Sequence, residues 1–460
     1  MLEISPIIHP DVNQFIQEEN PRILELIEAF GSSLHIVFPE IAGANLTRFQ
    51  ETLRESNVEG SVFYAAKANK SEAVLEAMAK AGGGADVSSV YELRQALSHG
   101  IRGENIAMSG PTKDPRFLLL GIQQGSTIAI DSIDDLKNII EILNSLDDKQ
   151  KAKITIRLND VGENKSRFGI PKSDLPAVYE LLQANSGKIE FSGFAFHLDG
   201  YSIEERSKAI LSVVEEIQRA RSIGFNCNTV DIGGGFTISY VDKNSWEQFQ
   251  QANKGEEGAK LFFHGKRFKH FYPYYNEKPG PAFLKEVLAY EQDGTRKSIA
   301  EILIESNIQL VVEPGRSILD QAGITLMRVK GIKQTASGNH VILAEANLNH
   351  LSEQWFCTEF IPDPILIQAE KDNSSEPIEA SVAGNTCMEM DMITWRKIGF
   401  KHTPKSGDVL VYVNTAGYQM DTNETDFHRI PVPQKVAAYR KRDQWAWKRD
   451  SEFSMLDITT

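Results

Sequence analysis

A lysine early in the chain stands where its amine could do chemistry. Lys67 closes an apolar, strand-like run, and Asn69-Lys70-Ser71 follows before a helical pattern begins. Burial at the end of a strand disfavours an ammonium group, lowers its pKa and leaves an amine that can form a Schiff base. Taken alone, such a lysine is more often an ion-paired or snorkelling side chain. Its meaning therefore depends on the residues at other strand ends.

Other strand-like segments also end in groups with chemical uses. These groups are Asp86, Arg157, His197, the triplet Gly233-Gly234-Gly235 and the pair Glu313 and Arg316. Successive glycine N–H groups can converge on a phosphate, and Arg316 can add a charged donor. Glu313 can keep a heteroaromatic nitrogen protonated, and the flat face of His197 can stack on a ring. Together with the Lys67 amine, these groups indicate one ligand, pyridoxal 5′-phosphate.

Each of these residues also has a plainer interpretation when taken singly. A glycine triplet is often a flexible turn, a glutamate before Pro-Gly is often solvated, and a histidine is often a hydrogen-bonded core residue. Six polar strand ends in one chain are not explained by packing alone. The combination therefore requires a scaffold that brings several strand ends to one rim.

The sequence predicts such a scaffold from residue 61 onward. Short β-branched or apolar runs alternate there with amphipathic helical patterns, for example 72–80, 134–146 and 203–222. The predicted strands are 61–68, 84–89, 105–110, 127–132, 153–159, 191–198, 229–236 and 309–317. This alternation predicts an α/β fold, a parallel (β/α)₈ TIM barrel with the chemistry at the carboxyl ends of its strands.

The rest of the chain reads as a second unit. Strands separated by turns are predicted at 324–332, 340–344, 409–413 and 432–438, with another at 33–38. We predict an N-terminal segment, 1–44, that joins a C-terminal and mostly antiparallel β domain, 321–460, and a barrel over 45–320. Within the long loop 236–282, the aromatic stretch 262–275 is either a surface excursion with aromatic packing or a lid over the barrel mouth.

Composition excludes several function classes. The 460 residues carry 63 acidic and 49 basic side chains, and the net charge of −14 opposes binding to nucleic acid. No run approaches 18 consecutive apolar residues, so no membrane span is predicted. The first residues lack a signal-peptide pattern, and three widely separated cysteines fit reduced thiols. We therefore expect a cytoplasmic protein that binds a small molecule and no metal.

Six short motifs resemble those of one enzyme family. They are 64–69 (YAAKAN), 85–89 (ADVSS), 231–236 (DIGGGF), 313–316 (EPGR), 384–387 (GNTC) and 416–418 (AGY). With them the chain resembles, from about residue 33 to 428, the fold-type III pyridoxal-phosphate decarboxylases. That family includes diaminopimelate, ornithine and arginine decarboxylases on an alanine racemase-like barrel.

The resemblance implies roles for individual residues. Lys67 would hold the cofactor as an internal aldimine, His197 would stack on its ring, and Glu313 would pair with the ring nitrogen. The other cofactor-binding residues that it implies are Asp86, Arg157, Gly234, Gly235, Arg316 and Tyr418. Cys387 would enter the active site of the neighbouring subunit of a homodimer and return a proton after CO₂ leaves.

The implied reaction is decarboxylation of an amino acid through a quinonoid intermediate. Alanine racemases place an arginine at the ring nitrogen, so Glu313 argues against racemisation as the main activity. An amino-acid racemase on the same scaffold remains the first alternative. A catalytically silent, regulatory homologue is the second, although the retention of Lys67, Glu313, Arg316 and Cys387 argues against it.

Three positions depart from the family pattern. Gly200 stands where the family has a phosphate-binding serine, and Ser202 or a backbone amide is expected to substitute. Met388 replaces the acidic residue that reads the distal amine of the substrate, so Glu389 or Asp391 could take that role.

The substrate-binding arginine of diaminopimelate decarboxylases is also missing. The corresponding segment, 347–355, offers Glu353, although a solvated helix glutamate is the plainer reading. A carboxylate there favours a basic or diamino acid, such as D- or L-lysine or ornithine, over a dicarboxylic substrate; a diaminopimelate-like compound stays open.

Overall fold

The computed structural model describes residues 2–455 except 148, 163–165, 269, 295, 352–357, 373 and 375, together with residue 458. Its strands are, in chain order, β1 (Leu34–Val37), β2 (Gly60–Ala65), β3 (Gly84–Val87), β4 (Ile106–Met108), β5 (Thr127–Ile130), β6 (Ala152–Arg157), β7 (Ile189–Ala195), β8 (Thr229–Asp231), β9 (Gln309–Val312), β10 (Gly323–Gln334), β11 (His340–Ala344), β12 (Ile365–Ile367), β13 (Ile378–Ala383), β14 (Met392–Phe400), β15 (Val409–Val413), β16 (Gln434–Lys441) and β17 (Gln444–Arg449). Its α-helices are α1 (Pro10–Glu18), α2 (Asn20–Phe30), α3 (Pro39–Glu55), α4 (Glu72–Lys80), α5 (Val90–Ser98), α6 (Pro115–Gln124), α7 (Ile133–Ser145), α8 (Leu175–Ala184), α9 (Ile203–Ser222), α10 (Lys243–Ala252), α11 (Pro281–Ala289) and α12 (Ile299–Glu305). None of the helices in this described part combines the length and apolarity that a membrane span requires.

Strands β2 to β9 form a closed parallel barrel, in which β2 pairs with both β3 and β9. Seven connections along the chain link these strands in sequence order, and most of them contain a helix. This confirms the predicted fold class. All eight predicted strands begin within two residues of the observed ones.

The barrel strands end earlier than predicted. Lys67 lies in a 3₁₀ turn, Ala66–Ala68, rather than at the end of β2, and β8 ends at Asp231, before the glycine triplet. Likewise β9 ends at Val312, just before Glu313. These residues therefore lie in turns at the carboxyl ends of the strands.

The second unit is a mixed sheet. Its strand order is β14-β13-β11-β10-β1-β16-β17, with β15 paired to β10 and β12. Most pairs are antiparallel, whereas β1–β16 and β11–β13 are parallel. The N-terminal strand β1 lies between β10 and β16, and α3 continues through residue 44 onto the barrel side. The segment before the barrel thus connects the two units directly.

The aromatic stretch 262–275 packs into the core of this second unit. Phe262, Phe263, Phe268 and Tyr274 are buried in one cluster with side chains of β10, β11 and β14. The Tyr274 hydroxyl donates to the main-chain oxygen of Glu359 at 2.8 Å. These four side chains therefore pack in a buried aromatic cluster, whereas the lid interpretation stays a prediction.

Candidate active site

A cavity of about 350 Å³ opens at the carboxyl rim of the barrel. The turns after β2, β7, β8 and β9 meet there with a loop that follows β15. The lining residues are Ala65, Lys67, His197, Leu198, Asp199, Gly200, Tyr201, Gly234, Gly235, Phe236, Glu313, Gly315, Arg316 and Tyr418. The volume lies within the range of small-molecule sites.

The Lys67 amine reaches into this cavity, and half of its side chain is exposed there. Its Nζ lies 3.9 Å from Oδ2 of Asp86, which is buried at the end of β3. Burial lowers the pKa of Lys67, but Asp86, Tyr418 and Glu313 raise it, and the net result lies above its ordinary value. The predicted lowering of this pKa is therefore wrong, because acidic groups surround the amine.

The imidazole of His197 lies against the glycine loop. The N–H of Gly234 donates to Nδ1 of His197 at 3.3 Å, so Nδ1 carries no proton. A Cβ on Gly233, which has a φ of +62°, would lie only 2.6 Å from the same atom. Burial, together with the Lys67 and Arg157 cations, lowers the pKa of His197 to about 3. The ring is therefore neutral and fixed in orientation at physiological pH.

Two carboxyl groups share the floor of the site. Burial, and then the neighbouring Asp231 and Asp86, raise the pKa of Glu313 well above its ordinary value. Burial also raises the pKa of Asp231 to about 7, against a main-chain hydrogen bond from Gly233 to its Oδ1 at 2.8 Å and a hydrogen bond with Glu313. Glu313 thus holds its proton to a higher pH than an ordinary glutamate does. Asp231 was not predicted as a site residue, although it opens the glycine motif.

The opposite end of the cavity carries a fixed cation. Arg316 Nη1 donates to the Tyr240 hydroxyl at 2.5 Å and to the main-chain oxygen of Gly417 at 3.3 Å. Its guanidinium lies 4.5 Å from the ring centroid of Tyr272 and 5.0 Å from that of Tyr418. Tyr240 and Tyr272 were not predicted, and only the aromatic richness of 262–275 pointed towards Tyr272. The aromatic rings hold the cation in place.

Arg157 belongs to an adjoining recess. Its guanidinium lies 3.7 Å from Oδ1 of Asp131 and 4.6 Å from the ring centroid of Phe168. This recess, of about 300 Å³, shares Lys67, His197 and Glu313 with the first cavity. Arg157 therefore lies close to the predicted site and lines the recess that adjoins it.

Ser202 does not reach the cavity. Its hydroxyl oxygen accepts from the N–H of Glu205 at 3.1 Å and caps the N-terminus of α9. It faces a separate recess with Gly162 and Lys208. The suggestion that Ser202 replaces the missing serine is therefore wrong, since helix capping uses its side chain. Gly200 does line the cavity, with a φ of +112°.

The predicted substrate-reading carboxylates have different outcomes. Asp391 is buried and accepts from Leu348 N at 2.7 Å, Thr386 N at 2.9 Å and Thr386 Oγ1 at 2.6 Å. That set of bonds commits Asp391 to holding its own loop, so its predicted role is wrong. Glu389 is exposed and lies outside the cavity lining. Glu353 lies outside the described residues.

Cys387 is also exposed and does not line the cavity. Its Sγ lies 3.2 Å from Nε2 of His428, within hydrogen-bond distance for sulfur. Within one chain, the structure does not bring this thiol to Lys67. The predicted entry of Cys387 into another subunit's site stays a prediction.

Comparison with known proteins adds a family to this geometry. Residues 43–266 match the pyridoxal-binding domain of the pyridoxal-dependent decarboxylases, and residues 271–417 match their C-terminal sheet domain. The uncharacterized protein y4yA of Sinorhizobium fredii is 36% identical, over 94% of this chain and 93% of its own. The diaminopimelate decarboxylase of Zymomonas mobilis is 25% identical, over 93% of this chain and 92% of its own. In fold, the chain resembles the crystal structure of diaminopimelate decarboxylase from M. jannaschii with L-lysine, with a TM-score of 0.71 and 22% identity over 93% of this chain and 91% of that one.

The cavity fits pyridoxal 5′-phosphate, the cofactor of that family. At Gly234 a Cβ would lie 2.9 Å from the main-chain oxygen of Glu313, so a glycine is needed for the turns after β8 and β9 to approach this closely. Together these two turns form a cradle in the cavity wall. Both carboxylate oxygens of Asp86 are buried without a hydrogen-bond partner among the described residues, as expected of a group that faces a ligand. The chain therefore belongs to the fold-type III pyridoxal-dependent decarboxylases, enzymes that use this cofactor to remove the carboxylate of an amino acid.

Proposed function

We propose that this enzyme decarboxylates a basic or diamino acid, such as D- or L-lysine or ornithine, or a diaminopimelate-like compound. The observation that carries the proposal is one cavity with the Lys67 amine, the buried Glu313 carboxyl and the Arg316 cation on its walls. The names of similar proteins support the substrate class, since they include diaminopimelate decarboxylase and a lysine/ornithine decarboxylase. Glu389 is exposed and lies two residues after Cys387. Among the described residues, it is our candidate for binding the distal ammonium group of the substrate.

The chain's own residues divide the work of holding the cofactor. When bound, pyridoxal phosphate supplies the electron sink that allows the bond between Cα and the carboxylate to break. Lys67 would hold it through its amine, and the neutral ring of His197 would cover one face without adding charge. The N–H group of Gly235 and the guanidinium of Arg316 would hold its phosphate, with Gly234 beside them in the cavity wall.

Two groups of the site, the Lys67 amine and the Glu313 carboxyl, carry protons that matter for this chemistry. The raised pKa of Lys67 keeps its amine protonated, so the amine must lose a proton before it binds an aldehyde. Asp86 forms an ion pair with this amine at 3.9 Å and orients it. Glu313, by contrast, holds its proton to a higher pH than an ordinary glutamate does, and it can share that proton with a ring nitrogen. A proton at that nitrogen strengthens electron withdrawal, which supports decarboxylation over racemisation.

We also propose that Cys387 acts in the cavity of a second copy of the chain. The thiol lies outside the cavity of its own chain, and apolar side chains near it in sequence or space are exposed. Met388 is 49%, Met390 45% and Phe427 42% exposed. Exposed apolar side chains of this kind are commonly covered in an interface. A symmetric dimer would cover them and place each thiol in the partner's site.

The substrate is tested by CO₂ release from the loaded enzyme. The panel contains both enantiomers of lysine, ornithine and arginine, diaminopimelate, and leucine and phenylalanine as apolar comparators. We expect release from amino acids with a distal amine. Release from the apolar pair alone would overturn the substrate class, inversion without CO₂ would indicate the racemase, and no reaction at all would favour the regulatory homologue.

The shared site is tested by mixing two inactive variants. Lys67→Ala and Cys387→Ala should each be inactive or slow alone, with wild-type circular dichroism. After reassociation of mixed subunits, half of the dimers are hybrids with one intact site of two, so about a quarter of wild-type activity should return. A mixture no more active than its parts would contradict a site built from two chains.

A further inference from the structure

An arginine lies buried behind the glycine loop of the cofactor site. Arg206, in the first turns of α9, is 1% exposed. Its Nη1 donates to the main-chain oxygen of Ile232 at 2.9 Å and to that of Gly234 at 2.8 Å. Its Nε and Nη2 have no hydrogen-bond partner among the described residues. One nitrogen of the guanidinium is therefore hydrogen-bonded, and the other two are buried without a described partner.

This arrangement is costly in the protein alone. Burial lowers the pKa of Arg206 to about 10, and only Glu205 and Tyr201 oppose that effect. The rings of Phe236 and Phe283, with centroids 5.7 and 5.8 Å from the guanidinium carbon, stabilise the cation only weakly at that distance. A buried cation is normally kept where it has a counter-charge. The missing counter-charge is therefore expected to come from a bound anion.

The geometry also shows on which side of the glycine loop the Arg206 guanidinium lies. A Cβ on Gly235, which has a φ of +84°, would lie 2.5 Å from Nη2 of Arg206, so the guanidinium packs directly against that residue. Gly235 itself lines the cavity. Because C=O and N–H point in opposite directions across a trans peptide, holding the Gly234 carbonyl towards Arg206 turns the Gly235 N–H away from it.

We propose that Arg206 is a positioning residue for the phosphate group of the cofactor. It fixes the peptide groups of residues 233–235 from behind and places a positive charge beneath them. This role compensates for the hydroxyl that is missing at Gly200, whose φ of +112° a serine rarely adopts. The inference rests on the proposed cofactor-binding residues and does not depend on the substrate.

The test compares two ligands that differ only in the phosphate. Dissociation constants of pyridoxal 5′-phosphate and of pyridoxal are measured with the cofactor-free protein, by equilibrium dialysis, for wild type and Arg206→Met. Loss of the positive charge beneath the loop and of the hydrogen bonds that fix its peptide groups should weaken pyridoxal phosphate binding by about 10- to 100-fold. Pyridoxal binding should stay within about twofold. The ratio of the two constants is a readout that a purely structural role would not move.

Arg221→Met is the matched control. Arg221 lies on the same helix and donates to the main-chain oxygens of Cys227 and Ser306, and neither it nor those residues line the cavity. Its ratio should equal that of wild type. Equal weakening of both ligands in Arg206→Met would overturn the proposal, because the arginine would then only shape the fold.

A second variant covers the case in which Arg206→Met does not fold. Arg206→Lys keeps a charge but loses the fork that bonds two carbonyls. Inorganic phosphate should then raise the melting temperature of the cofactor-free wild type more than that of Arg206→Lys. Equal protection would overturn the proposal. Both measurements omit substrate, so they can succeed even if the decarboxylation of basic amino acids fails its own test.

Discussion

Replacing Asp231 by asparagine should stabilise the cofactor-free protein at neutral and higher pH. Asp231 is buried beside Glu313 and Asp86, and burial raises its pKa from an ordinary 3.8 to about 7. Between those two values the folded protein binds a proton that the unfolded chain has lost. Its contribution to stability is therefore present below about pH 4 and is lost as the pH rises through about 7. Asparagine keeps the oxygen that accepts from Gly233 and removes the charge.

The size of the effect follows from the two pKa values. At about 1.36 kcal/mol per pH unit, the interval from 3.8 to about 7 corresponds to about 4 kcal/mol at pH 8. At pH 5.5 roughly half of that cost remains. Asp231→Asn should therefore gain on the order of 4 kcal/mol at pH 8 and about 2 kcal/mol at pH 5.5, relative to wild type.

Urea denaturation of the cofactor-free protein, followed by tryptophan fluorescence between pH 5.5 and 8.5, measures this difference. Comparing the variant with wild type at each pH cancels the buried histidines, whose lowered pKa values act in the opposite direction. Asp174→Asn, which removes an exposed carboxylate at the start of α8, is the control and should match wild type. A gain that is constant with pH, or a loss at pH 8, would refute the assignment of Asp231 as a buried acid with a raised pKa.

Three further substitutions test the cavity. Lys67→Ala should remove the visible absorbance of bound cofactor while circular dichroism stays unchanged; a retained band would mean that another amine holds it. Cys387→Ala should keep full cofactor content but lower kcat by about 100-fold or more, as for the loss of a proton-transfer group; wild-type turnover would remove the thiol from the reaction. Gly234→Ala should weaken cofactor binding at least about tenfold in dialysis, because its Cβ would lie 2.9 Å from a main-chain oxygen that cannot move aside; unchanged affinity would argue against the cradle.

The sequence predicts the barrel well because its strands are buried on both faces. Such strands read as short apolar runs, and helical patterns between them set the order. Strand ends were placed too late at β2, β8 and β9, because residues such as Ala68 and Ile232 remain apolar after the sheet pairing stops. Apolar character reports burial, whereas strand pairing depends on the backbone of the neighbouring strand.

Site residues divide in the same way. Lys67, Glu313 and Arg316 could be predicted, since each lies in a short motif whose chemistry is local. Arg206 could not, because it stands among Glu204, Glu205 and Lys208 and reads as part of a solvated helix face. Only the approach of the loop after β8 buries it. Local packing also could not be predicted for Ser202 and Asp391. The Ser202 hydroxyl caps the N-terminus of α9, and the Asp391 carboxylate accepts hydrogen bonds from its own loop.

The charged groups of the cavity bear on how the cofactor lies. Glu313 lies in the cavity wall with Lys67, and Asp231 and Asp86 are close enough to raise the pKa of Glu313. Arg316 also lines the cavity, and Arg206 lies behind the glycine loop. A phosphate dianion beside Glu313 would lie near the Asp86 carboxylate and would lose its contacts with Arg316 and the glycine loop. The ring nitrogen, which gains from a nearby proton, suits the place beside Glu313. The charges of the cavity therefore favour the orientation in which the phosphate lies beside Arg316 and the ring nitrogen lies beside Glu313.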